Sequence, residues 1–200
     1  MQKVITGVFI GVMSLVLIGC GATAKTIKQK TQTERTDVFT EFKNGDASAR
    51  GFAVLTIKAT IKTHLAGYYF LESKESIHGK SGYPFLINID GQAATWTVVG
   101  QKENVPLYDK DGKTSHDPDA GEGIKYVLEK KIQLTSGTHK VFLGLPADDY
   151  FKEVAITLKE GDSAMLEFKP VYNYKTNPHR IPAFHEGIKK YELYLNNTRI

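Results

Sequence analysis

Apolar side chains recur at every second position in eight separate stretches of this chain, and that period decides what it can fold into. Leu55, Ile57, Ala59 and Ile61 point one way, while Thr56, Lys58, Thr60 and Lys62 point the other. A period of two places one row in a core and the other in solvent, which is a half-buried strand. Phe85, Ile87 and Ile89 repeat the pattern, and Asp90-Gly91 follows them. Asp-Gly between alternating runs signals a hairpin, because glycine tolerates positive φ. The return strand carries Ala94, Trp96 and Val98. Tyr126, Leu128, Ile132 and Leu134 form another run, blemished by Lys130. Val141 with Leu143, then Val154, Ile156 and Leu158, then Ala164, Leu166 and Phe168, then Tyr191, Leu193 and Leu195 complete the set.

No long stretch shows the i, i+3, i+4, i+7 spacing of an amphipathic helix. Short strands with one apolar face each bury those faces by pairing two sheets. The expected fold is therefore all-β: an antiparallel β-sandwich of about 7–9 strands, of the immunoglobulin or transthyretin kind. A small open β-barrel is the alternative. The sandwich is expected to fill residues 51–200 as a single domain. Two long interruptions, Gln101 to Ile124 and Tyr172 to Gly187, are rich in turn residues. Loops of that length are where a binding site is expected.

The first twenty residues are of another kind. Lys3 precedes an apolar run from Val4 to Ile18, which ends in Leu17-Ile18-Gly19-Cys20. At fifteen residues the run is shorter than the roughly 20 that a spanning helix needs. It suits the h-region of an export signal. The L-I-G-C sequence resembles the lipobox of bacterial lipoproteins, and Cys20 is the chain's one cysteine. The resemblance implies removal of residues 1–19, lipidation of Cys20, and a place in the bacterial cell envelope. Gly21, where Asp would retain a lipoprotein in the inner membrane, favours the outer membrane. More than one acyl chain anchors stably. A lipidated thiol is lost to disulfides, metal ligation and nucleophilic catalysis. Residues 20–50 are polar and without apolar period, and read as the lipidated cysteine followed by a flexible tether. Val38, Phe39 and Phe42 offer a short docking segment at its end.

Chemistry is thinly marked. The net charge of +4 comes from interleaved lysines and acids without a basic block, which argues against a nucleic-acid partner. Asp109, Asp111, Asp117, Asp119 and Glu122 lie close together, and oxygen ligands suit calcium. The EF-hand register fails, however: counting from Asp109, position 5 is Lys113 and position 12 is Ala120. His179, His185 and Glu186 are interrupted by Pro182, with Pro178 just before them, and match no zinc helix pattern. His116 sits in the other loop, and His139 on a strand reads as a satisfied packing residue. There is no G-x-S-x-G and no phosphate loop, so no enzyme activity is expected. Tyr68, Tyr69, Trp96, Tyr172 and Tyr174 are candidates for an aromatic binding face. The function expected is a non-enzymatic binding or scaffold module for another envelope protein or a polysaccharide, held to the membrane through Cys20. The alternative is a metal- or small-ligand-binding lipoprotein using the acidic loop, with calcium as its ion and no other cofactor.

Three segments carry a further resemblance. They are F-L-I-N-I-D-G-Q (Phe85 to Gln92), L-T-S-G-T-H-K-V-F-L-G-L-P-A-D-D-Y (Leu134 to Tyr150) and V-A-I-T-L-K-E-G-D-S-A-M-L-E-F (Val154 to Phe168). In order and turn grammar they resemble the PEGA-type β-sandwich modules of bacterial envelope proteins. The chain lacks that family's G-x-T-P turn and spaces Gly91 and Gly137 more widely. The resemblance implies a structural or adhesive module and supplies no catalytic residues.

Overall fold

The computed structural model describes residues 19–42, 50–108, 110–113, 115–173 and 181–200. Within them the chain forms two packed sheets, as the period of two requires, and neither closes into a barrel. The strands are β1 (Phe39–Glu41), β2 (Phe52–Thr63), β3 (Gly82–Ile89), β4 (Gln92–Val99), β5 (Gln101–Val105), β6 (Gly121–Thr135), β7 (Gly137–Leu145), β8 (Tyr150–Leu158), β9 (Ser163–Tyr172), β10 (Ile188–Leu195) and β11 (Thr198–Arg199). One sheet runs β1-β6-β2-β9-β10-β11, with β5 beside the first half of β6; the other runs β4-β3-β7-β8. All pairings between these strands are antiparallel except β2 with β9, which run parallel from Val54 beside Ser163 to Ala59 beside Phe168.

The alternating residues meet between the sheets. Leu55, Ile57, Ala59 and Ile61 from β2 face Phe85, Ile87 and Ile89 from β3, with Val141 and Leu143 beside them, all essentially inaccessible. Each such aliphatic or phenyl side chain contributes roughly 1.5–3 kcal/mol on full burial. The turns fall where glycine marked them. Asp90 and Gly91 both have positive φ, the geometry of a tight primed hairpin turn, and Gly161 turns the chain before β9.

Lys130, the blemish in β6, falls on the inward row near an edge. Its Nζ lies 3.3 Å from Glu41 Oε2 and 5.5 Å above the Trp96 ring. Trp96 Nε1–H donates to Glu41 Oε1 at 2.9 Å, and its ring packs on Phe39. The charge therefore closes the mouth of the sandwich instead of breaking the strand.

Two expectations are corrected. Residues 20–50 were expected to be a flexible tether, but β1 and all of helix α1 (Gly19–Lys30) after its first residue fall within them. Ile27 buries between Leu86 and Phe142 on the outer face of the second sheet. Asn88 Nδ2–H donates to the Lys30 carbonyl, Lys28 and Lys30 sit where the helix dipole favours cations, and Val38 and Phe39 enter the core. A single buried side chain makes no stripe, so the helix had no period to read. Residues 43–49 of that stretch, and the signal-like residues 1–18, lie outside the described residues. The second correction concerns the interruption from Gln101 to Ile124, which donates its ends to β5 and β6. Among the described residues no helix is long and apolar enough to cross a membrane.

Candidate functional site

The end of the sandwich where β2 stops gathers what the strands do not use. β2 runs into Lys62, Thr63 and His64, all buried. A loop from Leu65 to Ser81 then returns the chain to β3. It folds back on its own root: Gly79 N–H donates to Thr63 Oγ1 at 3.0 Å. Gly79 has φ +72°, and a Cβ there would stand 2.0 Å from the Ala66 nitrogen. Only glycine permits both the conformation and the approach. That closure carries His78 to His64. A 3-10 turn at Pro146–Asp148 after β7 brings Asp148, and another at Ala183–Glu186 brings Phe184 and His185.

Three ligand atoms converge there. His78 Nδ1 lies 3.3 Å from His64 Nε2, and Glu72 Oε1 lies 3.4 Å from the same nitrogen. One ring nitrogen of each histidine and one Glu72 oxygen all sit within 4.8 Å of one another. A hydrogen bond fixes the tautomer of His64, and a carboxylate without an aligned hydrogen bond faces the outward nitrogen of His78. His64 Nδ1 is 2.9 Å from the Leu65 carbonyl, which only accepts, so Nδ1 carries the proton and Nε2 presents its lone pair. His78 Nε2 makes no aligned hydrogen bond but faces Asp148 Oδ1 at 3.3 Å, and the charge of that carboxylate favours the proton on Nε2, leaving the lone pair on Nδ1 when the ring is neutral. Ser76 Oγ–H donates to Glu72 Oε1 at 2.5 Å. The buried Tyr83 hydroxyl donates to the other oxygen of Asp148. Lone pairs of two imidazoles and a carboxylate repel unless a cation, a proton or a metal ion, sits among them. The Asp148 carboxylate holds the His78 pKa above the ordinary imidazole range, which favours a proton there when no metal is bound.

His185 stands on the far side of His64, with ring centroids 5.6 Å apart. Both its ring nitrogens are buried and make no aligned hydrogen bond, although the backbone at Glu122 is near. Burial, aided by His64, pushes its pKa down to about 4. Tyr68 and Tyr69 lean edge-on against these rings, with the Tyr68 centroid 4.3 Å from His185. A cavity of about 200 Å³ opens beside them, lined by His64, His78, Asp148, His185 and Tyr172 among others. Lys62 forms part of the wall. Its ammonium donates to Glu103 and to the carbonyls of Asp119 and Gly121, so it ties β5 and β6 to β2.

The neutral state of His185 has a pH signature. Its folded pKa lies below its unfolded value, so its contribution is complete above pH 6.5 and is lost as pH falls toward 4. Partial exposure reduces the loss to about 1–2 kcal/mol. In metal-free protein, His185→Phe is expected to lose less stability than wild type between pH 7.5 and 4.5, by that amount, in urea denaturation at each pH.

Of the residues singled out in the sequence, Tyr68 and Tyr69 belong to this site and are 50 % and 40 % exposed. Tyr172 is in its buried floor, where the hydroxyl accepts the Lys62 backbone N–H and burial raises the phenol pKa. Trp96 is elsewhere, packed at the sandwich edge. Tyr174, His179 and Asp109 lie outside the described residues. The acidic loop does not converge among the described residues: Asp119 pairs with Lys125 at 2.8 Å and Glu122 with Lys102 at 2.7 Å. Asp117 accepts the Asp119 backbone N–H, and Asp111 lies in an exposed turn. His139 is satisfied as expected, between Asp90 and the Thr135 carbonyl. Cys20 is the second residue of α1.

No family model, curated protein or solved structure matches this chain.

His64, Glu72 and His78 were not read from the sequence as a site. The available signal was their placement in one fifteen-residue stretch, H-x7-E-x5-H, which matches no known motif.

Proposed function

We propose that this chain is a lipid-anchored protein of the bacterial envelope that binds a divalent transition metal ion of the zinc class. His64 Nε2, His78 Nδ1 and Glu72 Oε1 are its ligands. The observation that carries the reading is the convergence of these three atoms on prearranged partners. Two imidazoles and a carboxylate suit zinc and its neighbours, whereas calcium asks for oxygen alone. Ligating histidines ordinarily give their second nitrogen to a carbonyl or carboxylate, as His64 does to Leu65; His78 Nε2 is buried without an aligned hydrogen bond and has the Asp148 carboxylate 3.3 Å away. Three protein ligands leave one position of a tetrahedral site open. The metal reading thus moves from the acidic loop to the end of the sandwich. The role proposed for the site is binding, with the outer membrane as the proposed location.

The test is thermal unfolding of chelator-stripped protein with added zinc, nickel, cobalt or calcium. An ion that binds only the native state, present at a hundred times its Kd, adds about 2.7 kcal/mol of stability. Zinc, nickel or cobalt is expected to raise the Tm and calcium to leave it unchanged. If none of the three transition ions moves the Tm, the reading is wrong.

A second reading rests on Tyr68 and Tyr69, which are both exposed, Tyr69 lining the cavity. Aromatic rings in such a place suit stacking on a sugar or an envelope protein.

A further inference from the structure

We infer that the loop tip from Tyr68 to Leu71 dips into the lipid surface to which Cys20 is anchored, so that the site end of the sandwich rests on the bilayer. The inference rests on the reading of Cys20 as lipidated and is independent of the metal.

The first observation is the tip itself. Phe70 is 99 % exposed and Leu71 91 % exposed, the two most accessible large apolar residues among those described, with half-exposed Tyr68 beside them. Phe70 and Leu71 are adjacent and both almost fully exposed, whereas the next most exposed large apolar residue, Val99 at 75 %, stands apart from them in the sequence.

The second observation is the reach of the anchor. Ile27 is buried in the sandwich, and Cys20 precedes it by seven positions in one continuous helix. At the helical rise of about 1.5 Å per residue, the lipid-bearing residue lies only about 10 Å along the axis from a buried contact. A domain held so closely cannot swing freely above the membrane.

The third is direction. Ile27 lies against Leu86, the Lys30 carbonyl accepts from Asn88, and Glu34 N–H donates to the Gly91 carbonyl. The chain therefore travels along β3 in the sense 86 to 91 as it leaves the helix. Traced backward, α1 points its first turn toward the start of β3 at Gly82. That is the end at which the Leu65–Ser81 loop projects. The anchor and the apolar tip thus share one end of the molecule.

Charge and ring chemistry agree. Lys74 and Lys80 are exposed on the same loop, with exposed Glu75 between them, and Lys25 on the helix, a net cationic set able to meet anionic headgroups. Tyrosine is favoured at the headgroup level, where a ring with a polar tip finds both media.

The experiment uses the full lipidated protein in vesicles of phosphatidylethanolamine and phosphatidylglycerol. Trp96 is the chain's one tryptophan, so Trp96→Phe combined with Phe70→Trp places a single fluorophore at the tip. With brominated acyl chains the reporter is expected to lose at least half its emission, while acrylamide quenches it several-fold less than in detergent-free aqueous peptide. The unaltered Trp96 of wild type is expected to respond to neither lipid change. Floating protein whose tip reporter remains open to acrylamide and untouched by bromine overturns the docking while leaving the anchor intact. Floating protein whose reporter is shielded from both quenchers has a protein on its tip, and the lipid inference is again overturned. Protein that does not float with vesicles removes the anchor and the inference together. Leu71→Trp in the same background provides a second reporter should the first variant fold poorly.

Discussion

Gly79→Ala is expected to lower the stability of the whole domain by about 3–5 kcal/mol, through two penalties that act at one atom. The left-handed φ of +72° costs a side chain about 1–3 kcal/mol. The added Cβ would also stand 2.0 Å from the Ala66 nitrogen and 2.5 Å from the Leu65 carbonyl carbon. Neither is a flexible side-chain end, so the loop must open to admit it. Opening breaks the Gly79 N–H bond to Thr63 Oγ1, a further loss of about 1 kcal/mol. For a domain of this size each kcal/mol moves the Tm by about 2–4 °C, so calorimetry should show a drop of about 10 °C. Gly67→Ala is the matched control. It lies in the same loop with φ +75° and has nothing within 4 Å of the added carbon. Its cost is expected to stay near 1 kcal/mol, the conformational part alone. Equal losses at the two positions would show that the close approach at Gly79 is unimportant. Because His78 adjoins Gly79, the same variant is expected to weaken zinc binding, and Gly67→Ala is not.

How much of this was legible in the sequence depends on the distance over which each feature is encoded. The strands were legible because alternation is local: Leu55 to Ile61 states its own burial, and Asp90-Gly91 states its own turn. Even Lys130 stood out correctly as unusual, though its partners Glu41 and Trp96 come from other strands. The parallel pairing of β2 with β9 was not legible, since it depends on which strands neighbour one another across more than a hundred residues. Nor was α1, in which Ile27 is the one buried residue among the described side chains. The candidate site is of the same non-local kind. His64 was hidden at the end of a strand, and Asp148 and His185 join it from two other turns. A search by composition finds charge clusters, and so it found the acids of residues 109–122. Asp119 and Glu122 answer lysines, whereas His64, His78 and His185, scattered along the chain, come together.

Asp148→Asn should separate the ligands from what positions them, and it is the sharper test of the metal reading. Asp148 touches no ligand position. It faces His78 Nε2 with one oxygen and accepts the Tyr83 hydroxyl with the other. The substitution keeps the shape but removes the charge that fixes a proton on Nε2, and with it the lone pair on Nδ1. Partners of this kind are worth about 10–100-fold in metal affinity. Asp148→Asn is therefore expected to weaken zinc by about that factor, whereas His78→Ala, which deletes a ligand, exceeds it. The pH profile distinguishes positioning from mere damage. In wild type a proton competes with the metal for His78, and the raised pKa sets that competition above pH 6.5. Below that pKa each unit of pH costs zinc about tenfold at this residue, by the mass action of one displaced proton. Without the Asp148 charge the proton is held less tightly, so the fall in affinity is expected to begin at lower pH. Zinc titrations with a competing chelator from pH 6 to 8.5 read both effects. A variant that loses affinity equally at every pH would place Asp148 in the scaffold alone, and one that loses none would remove it from the site.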